Sequence, residues 1–181
     1  MGKASLVKKA ISGMKGERLL YIDLYGIRTL ADFCRRVMSG VGGVTEKMSF
    51  LKKALALAHR LRPALTIDAT TGAPTITVDA RAASEPDSLG AVMATVKKLA
   101  EDGGLCVVMD EFQDLLKLED SAKILAEMRG TIQFQADTPY FYLGSSRNDM
   151  LRIFTHYDSP FFKSALPFEV PPIDEAAFVR F

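Results

Sequence analysis

The sequence predicts a three-layered α/β fold, in which a parallel sheet is covered by helices on both faces. Two observations carry that prediction. Short apolar runs occur without the alternation of a half-exposed strand, and amphipathic helical stretches separate them. At 181 residues the chain suits one domain with a sizeable core, since about 100 to 200 residues per domain is usual.

From Ala4 to Met14, Leu6, Ala10, Ile11 and Met14 recur at helical spacing, with Gly13 and Gly16 near the end. Leu19 to Tyr25 (LLYIDLY) is rich in strand formers and is followed by Gly26, which predicts a buried strand. Thr29 precedes a helical pattern through Leu30, Phe33, Val37 and Met38, and the glycines at 40, 42 and 43 are expected to end it. A further helix is expected from Glu46 to Arg60. LTID and TITVD flank the turn-rich stretch Ala69 to Pro74 and alternate, which predicts a hairpin insertion.

Ala83 to Asp87 reads as a polar loop, and Leu89 to Ala100 returns to helical periodicity before Gly103 and Gly104. Leu105 to Glu111 (LCVVMDE) is an apolar run closed by an acidic pair, which predicts a buried strand. Ala122 to Phe134 is amphipathic, Tyr140 to Leu143 reads as a strand, and Asp149 to Phe154 as a helix. Leu166 to Val170 is expected to be a last strand, and Asp174 the N-cap of another helix.

Composition narrows the function. Apolar residues make up 48% and charged residues 25%, as in folded globular domains. With 23 basic and 22 acidic residues the formal charge is +1, so no overall field attracts nucleic acid or acidic lipid. Lys47, Lys52, Lys53, Arg60 and Arg62 form a modest basic cluster that reads as the solvated face of a helix. Cys34 and Cys106 are too few for a disulfide framework, and His59 and His156 stand apart, so protein side chains alone build no metal site. No signal-peptide segment or long apolar run is present, which points to a cytoplasmic protein.

Chemistry concentrates at three places. An apolar strand ending in Asp110 and Glu111 puts two carboxylates at the C-terminal edge of a parallel sheet, where open α/β proteins bind ligands. Such a pair suits a metal-holding aspartate and a water-polarising glutamate, although a strand that meets a polar turn has the same letters. Gly2 and Lys3 precede the first helix as the end of GxxxxGK[ST] does, with backbone N–H groups at the helix start ready for an anion. Gly144-Ser145-Ser146 closes the next strand, where a small hydroxyl either senses a phosphate or caps the following helix.

Taken in order, GKASL, YIDLYG, VVMDEFQDLL, IQ, YFYLGSSRNDMLRIF and SPFFKSALPFEVPPID resemble the archaeal-type AAA+/STAND ATPases of the P-loop superfamily over nearly the whole chain. The resemblance implies ATP and Mg2+ as ligands and a sheet ordered 5-1-4-3-2. In that order, residues 1–173 would be an ATPase core lacking its first strand and 174–181 the start of a C-terminal lid. It implies Lys3 as the Walker A lysine, with Gly2, Ala4 and Ser5 beside the nucleotide. Asp110 would be the Walker B aspartate, acting on Mg2+ through water, and Glu111 the catalytic glutamate. Ser145 or Ser146 falls at the sensor position, while Gln113 and Arg147 match family positions without an assigned role.

The chain departs from GKT or GKS at Ala4, whose side chain has no oxygen for Mg2+, and Ser5 lies one step further round the helix. The expectation is therefore an ATP-binding switch module with weakened turnover, open to a protein partner or oligomerisation. Two other readings stay open: an interaction module without nucleotide chemistry, and a nucleic-acid-associated ATPase.

Overall fold

The computed structural model describes residues 3–13, 18–44, 63–67, 74–78 and 85–170. Gly2, the helix expected over 46–60, His59, the basic residues at 47, 52, 53, 60 and 62, and the helix expected from Asp174 lie outside them.

Helix α1 spans Lys3–Ser12 and leads to strand β1, Arg18–Asp23. Helix α2, Leu30–Val44, follows. Its start is fixed by a reciprocal pair of bonds: Asp32 N–H donates to Thr29 Oγ1 at 3.1 Å, and Thr29 N–H to Asp32 Oδ2 at 3.1 Å. Strands β2 (Pro63–Ile67) and β3 (Pro74–Val78) pair antiparallel in a two-stranded sheet. Helix α3 covers Glu85–Glu101, β4 Leu105–Asp110, α4 Ser121–Ile132, β5 Tyr140–Tyr142 and α5 Arg147–Thr155. A 3-10 helix at Phe112–Lys117, which periodicity did not signal, follows the acidic pair.

The main sheet has the order β1-β4-β5, and both pairings are parallel. β4 is buried from Leu105 to Met109, which explains why it reads as one apolar run. Its alternate residues face different layers. Leu105, Val107 and Met109 join Leu20 and Ile22 in the large core with α2, α3 and α4. Cys106 and Val108 join Leu19 and Tyr21 against Val7 and Ile11 of α1. Helices thus cover both faces of the three strands. Cys34 and Cys106 are buried and form no disulfide with each other.

Three local expectations need correction. Helix α2 runs through the glycines at 40, 42 and 43 to Val44 rather than ending there. At Gly40 the missing side chain serves packing: a Cβ would lie 2.9 Å from the Tyr21 carbonyl oxygen and 3.0 Å from Leu20 Cδ1. The helix therefore seats directly on β1. Secondly, residues 85–87, read as loop, form the first turn of α3.

Thirdly, Leu166 to Val170 forms no strand, and Leu166 is 96% exposed. Pro167 has no N–H to give to a ladder, and β5 ends the sheet with no strand beyond it among the described residues. No helix of the described residues is long and apolar enough to cross a membrane.

Candidate functional site

Asp110 is the last residue of β4 and stands on the α1 face, two positions beyond Val108. Its carboxylate is held from two sides. Glu111 N–H donates to Oδ1 at 3.0 Å, and the Tyr21 hydroxyl, reaching across from β1, donates to Oδ2. Burial and the hydrogen bond to Asp110 push the Tyr21 phenol pKa up, so the hydroxyl stays protonated as the donor. Lys8 of α1 places its ammonium 3.4 Å from the Tyr21 ring centroid.

Glu111 adopts the left-handed conformation, φ 52° and ψ 42°, a costly geometry for a side chain of this type. The surroundings impose it. Phe112 N–H bonds the Leu143 carbonyl at 2.9 Å, and Leu143 N–H bonds the Met109 carbonyl at 2.9 Å, so the chain turns between two strand ends. The Phe112 ring is then locked against Tyr142, Phe154 and Phe161, with centroids 4.6, 5.8 and 5.5 Å away. Behind it, buried Asp114 accepts the Gly26 N–H at 2.8 Å and pairs with Lys117 at 2.7 Å. Backbone and aromatic packing together aim Glu111 at the end of β5.

There Ser145 Oγ donates to Glu111 Oε2 at 2.6 Å. Gln113 Nε2 donates to the same oxygen and lies 3.4 Å from Ser145 Oγ. Lys3, at the first position of α1, places Nζ 2.6 Å from the Gly144 carbonyl oxygen. Lys3, Asp110, Glu111 and Ser145 are thus gathered at the C-terminal edge of the parallel sheet.

The remaining candidates fall elsewhere or contribute less. Ser146 is the N-cap of α5, and its hydroxyl donates to Asp149 Oδ2 at 2.6 Å rather than to Glu111. Arg147 is exposed and pairs with Glu169 at 2.8 Å. Ala4 and Ser5 sit in the first turn of α1, Ala4 half-buried and Ser5 exposed. Tyr21 and Lys8 were missed in the sequence. Only the strand register, Tyr21 opposite Val108, reveals that Tyr21 shares a face with Asp110.

The donor set fits part of a magnesium nucleotide. An ammonium and a helix start suit phosphate oxygens, and Asp110 offers a hard oxygen for a cation. No cluster of three or more His, Cys, Asp or Glu that would hold a metal occurs among the described residues. A cation here would complete its shell with water and phosphate oxygens, without the hydroxyl that Ala4 lacks.

This sheet and its covering helices define a parallel α/β fold with helices on both faces. Among solved structures it is similar to the Walker-type ATPase PABY2304 of Pyrococcus abyssi, with a TM-score of 0.55 and 20% sequence identity. The match covers 89% of this chain and 43% of that one, so the chain spans less than half the length of that protein. The likeness is one of fold. No protein-family model and no curated protein matches the sequence.

Proposed function

We propose that this chain is an ATP-binding, Mg2+-dependent P-loop ATPase module that acts as a nucleotide-driven switch. The observation that carries the reading is the convergence of Lys3, Asp110, Glu111 and Ser145 at one sheet edge, although 141 residues separate Lys3 from Gly144. The order β1-β4-β5 is compatible with the neighbouring places 2, 3 and 4 of a five-stranded 5-1-4-3-2 sheet, which supports the reading.

Each residue has a role that its position suits. Lys3 neutralises phosphate oxygens, and the first N–H groups of α1 receive an anion. Asp110 holds the cation through water, and when bound that cation supplies charge neutralisation at the phosphates. Glu111 accepts a hydrogen bond from the attacking water and orients it. Ser145 donates to a phosphate oxygen. Residues 1–173 act as the ATPase core, with 174–181 opening a lid that passes the nucleotide state to a partner protein. The cytoplasm is the compartment in which such a module meets ATP.

Ala4 favours a second reading, an interaction module that keeps the fold and has lost nucleotide chemistry. Titration with a fluorescent ATP analogue, with and without Mg2+, separates the two. Saturable binding that Lys3→Ala weakens at least about tenfold, and that Asp110→Asn makes insensitive to Mg2+, is expected on the first reading. Absence of saturable binding to the unsubstituted chain overturns it. DNA binding that weakens with salt would instead favour a nucleic-acid-associated ATPase.

A further inference from the structure

Gln113 is 4% exposed, the second residue of the 3-10 helix that follows the acidic pair, in a position where an amide needs a reason to be buried. Its Nε2 donates to Glu111 Oε2 and approaches Ser145 Oγ to 3.4 Å. Its Oε1 is fully buried and has no hydrogen-bond partner among the described residues. Reversing the amide would set a carbonyl oxygen against a carboxylate, so the orientation is chosen by Glu111. The same Oε1 lies where a side chain at Gly144 would begin, 2.5 Å from an ideal Cβ. Gln113 thus fills the space between the acidic strand end and the Gly144-Ser145 turn.

We propose that Gln113 is a positioning residue that holds Glu111 in place while the Ser145 proton changes partner. This rests on the phosphate-facing role given above to Ser145. Ser145 has one hydroxyl proton, and in this structure it goes to Glu111 Oε2. When that proton is given to a phosphate oxygen, Glu111 loses one of its two donors. The Gln113 amide retains the other, and its second N–H faces the lone pairs that Ser145 turns back. Glu111 therefore keeps its direction, with Oε1 left for water. The unpartnered Gln113 Oε1 is the cost of this arrangement.

Two measurements test the proposal. In the unsubstituted chain, the Gln113 side-chain amide protons exchange at least about tenfold more slowly than those of exposed Gln133, and their resonance moves in Ser145→Ala. Exchange as fast as that of Gln133 overturns the placement, whether or not the chain binds nucleotide. Turnover supplies the second readout. Gln113→Leu lowers kcat about tenfold or more with KM unchanged, because only the orientation of the water-holding carboxylate is lost. A folded Gln113→Leu chain that turns over ATP at the unsubstituted rate overturns the proposal. Failure of the unsubstituted chain to bind the fluorescent nucleotide removes the function proposed above, and amide exchange then decides the contact between Gln113 and Glu111.

Discussion

The Tyr21 hydroxyl donates to Asp110 Oδ2 from the neighbouring strand, so the acidic end of β4 is anchored by β1 as well as by its own backbone. The Lys8 ammonium over the Tyr21 ring ties α1 to the same pair. The site therefore rests on three elements that meet only in the folded chain.

That contact makes Tyr21 and Asp110 energetically coupled. Tyr21→Phe and Asp110→Asn should each destabilise the protein, and a double-mutant cycle should return a coupling of about 1 kcal/mol. Urea denaturation of the four proteins measures it. Additive effects would show that the hydroxyl and the carboxylate do not interact in solution.

The glycines of α2 should respond in opposite directions. Gly40→Ala places a methyl 2.9 Å from the Tyr21 carbonyl, and overpacking of this kind costs about 1–3 kcal/mol. A Cβ at Gly42 or Gly43 meets nothing within 4 Å, and replacing a helical glycine by alanine there should stabilise by about 0.5–1 kcal/mol. Thermal melting of the three variants decides the matter. A stabilised Gly40→Ala chain would contradict the close seating of α2 on β1.

Acid should weaken the start of α2. Burial pushes the Asp32 carboxyl up. The backbone N–H groups of Arg28 and Thr29, the Thr29 side chain and Arg35 outweigh burial and hold it below its ordinary value of 3.8. Because the folded value is the lower one, this stabilisation is complete above the unfolded carboxylate range and disappears as pH falls through the folded value. Asp32→Ala should cost about 1 kcal/mol at neutral pH, with the difference narrowing as pH falls below the ordinary value of 3.8. A gap that stays constant from neutral to acid would refute the assignment.

Alkali should act through Cys34. Burial, with the nearby Glu127 carboxylate adding to it, pushes the thiol up from 9.0 to about 12. The folded chain keeps a proton that the unfolded chain releases, so the stabilisation is whole below pH 9 and declines as pH rises from 9 towards 12. Comparing Cys34→Ala with the unsubstituted protein between pH 8 and 10 should show the advantage of the native thiol shrinking by about 1 kcal/mol. Parallel stability curves would exclude ionisation of Cys34 as the cause.

The fold class was legible because burial writes itself into residue type. Leu105 to Met109 is apolar throughout because both its faces are covered, and Thr29 announced α2 because its hydroxyl meets the Asp32 N–H. Leu166 to Val170 has the letters of a strand, but a strand needs a neighbour for its backbone groups, and that partner is a property of the whole fold. The glycines at 40, 42 and 43 misled for a related reason. Only packing distinguishes a glycine that ends a helix from one that lets a helix approach a strand.

The sequence by itself determined the strand that presents Asp110 and Glu111, the lysine at the head of α1 and the serines after β5, since each depends on local pattern. Tertiary structure alone decided which of them meet. It brought Lys3 to Gly144, turned Ser145 towards Glu111 and Ser146 towards Asp149, and placed Tyr21 on Asp110 and Gln113 on Glu111. Hydrogen bonds reach about 3 Å, and strand register and helix placement bring residues far apart in the chain within that reach.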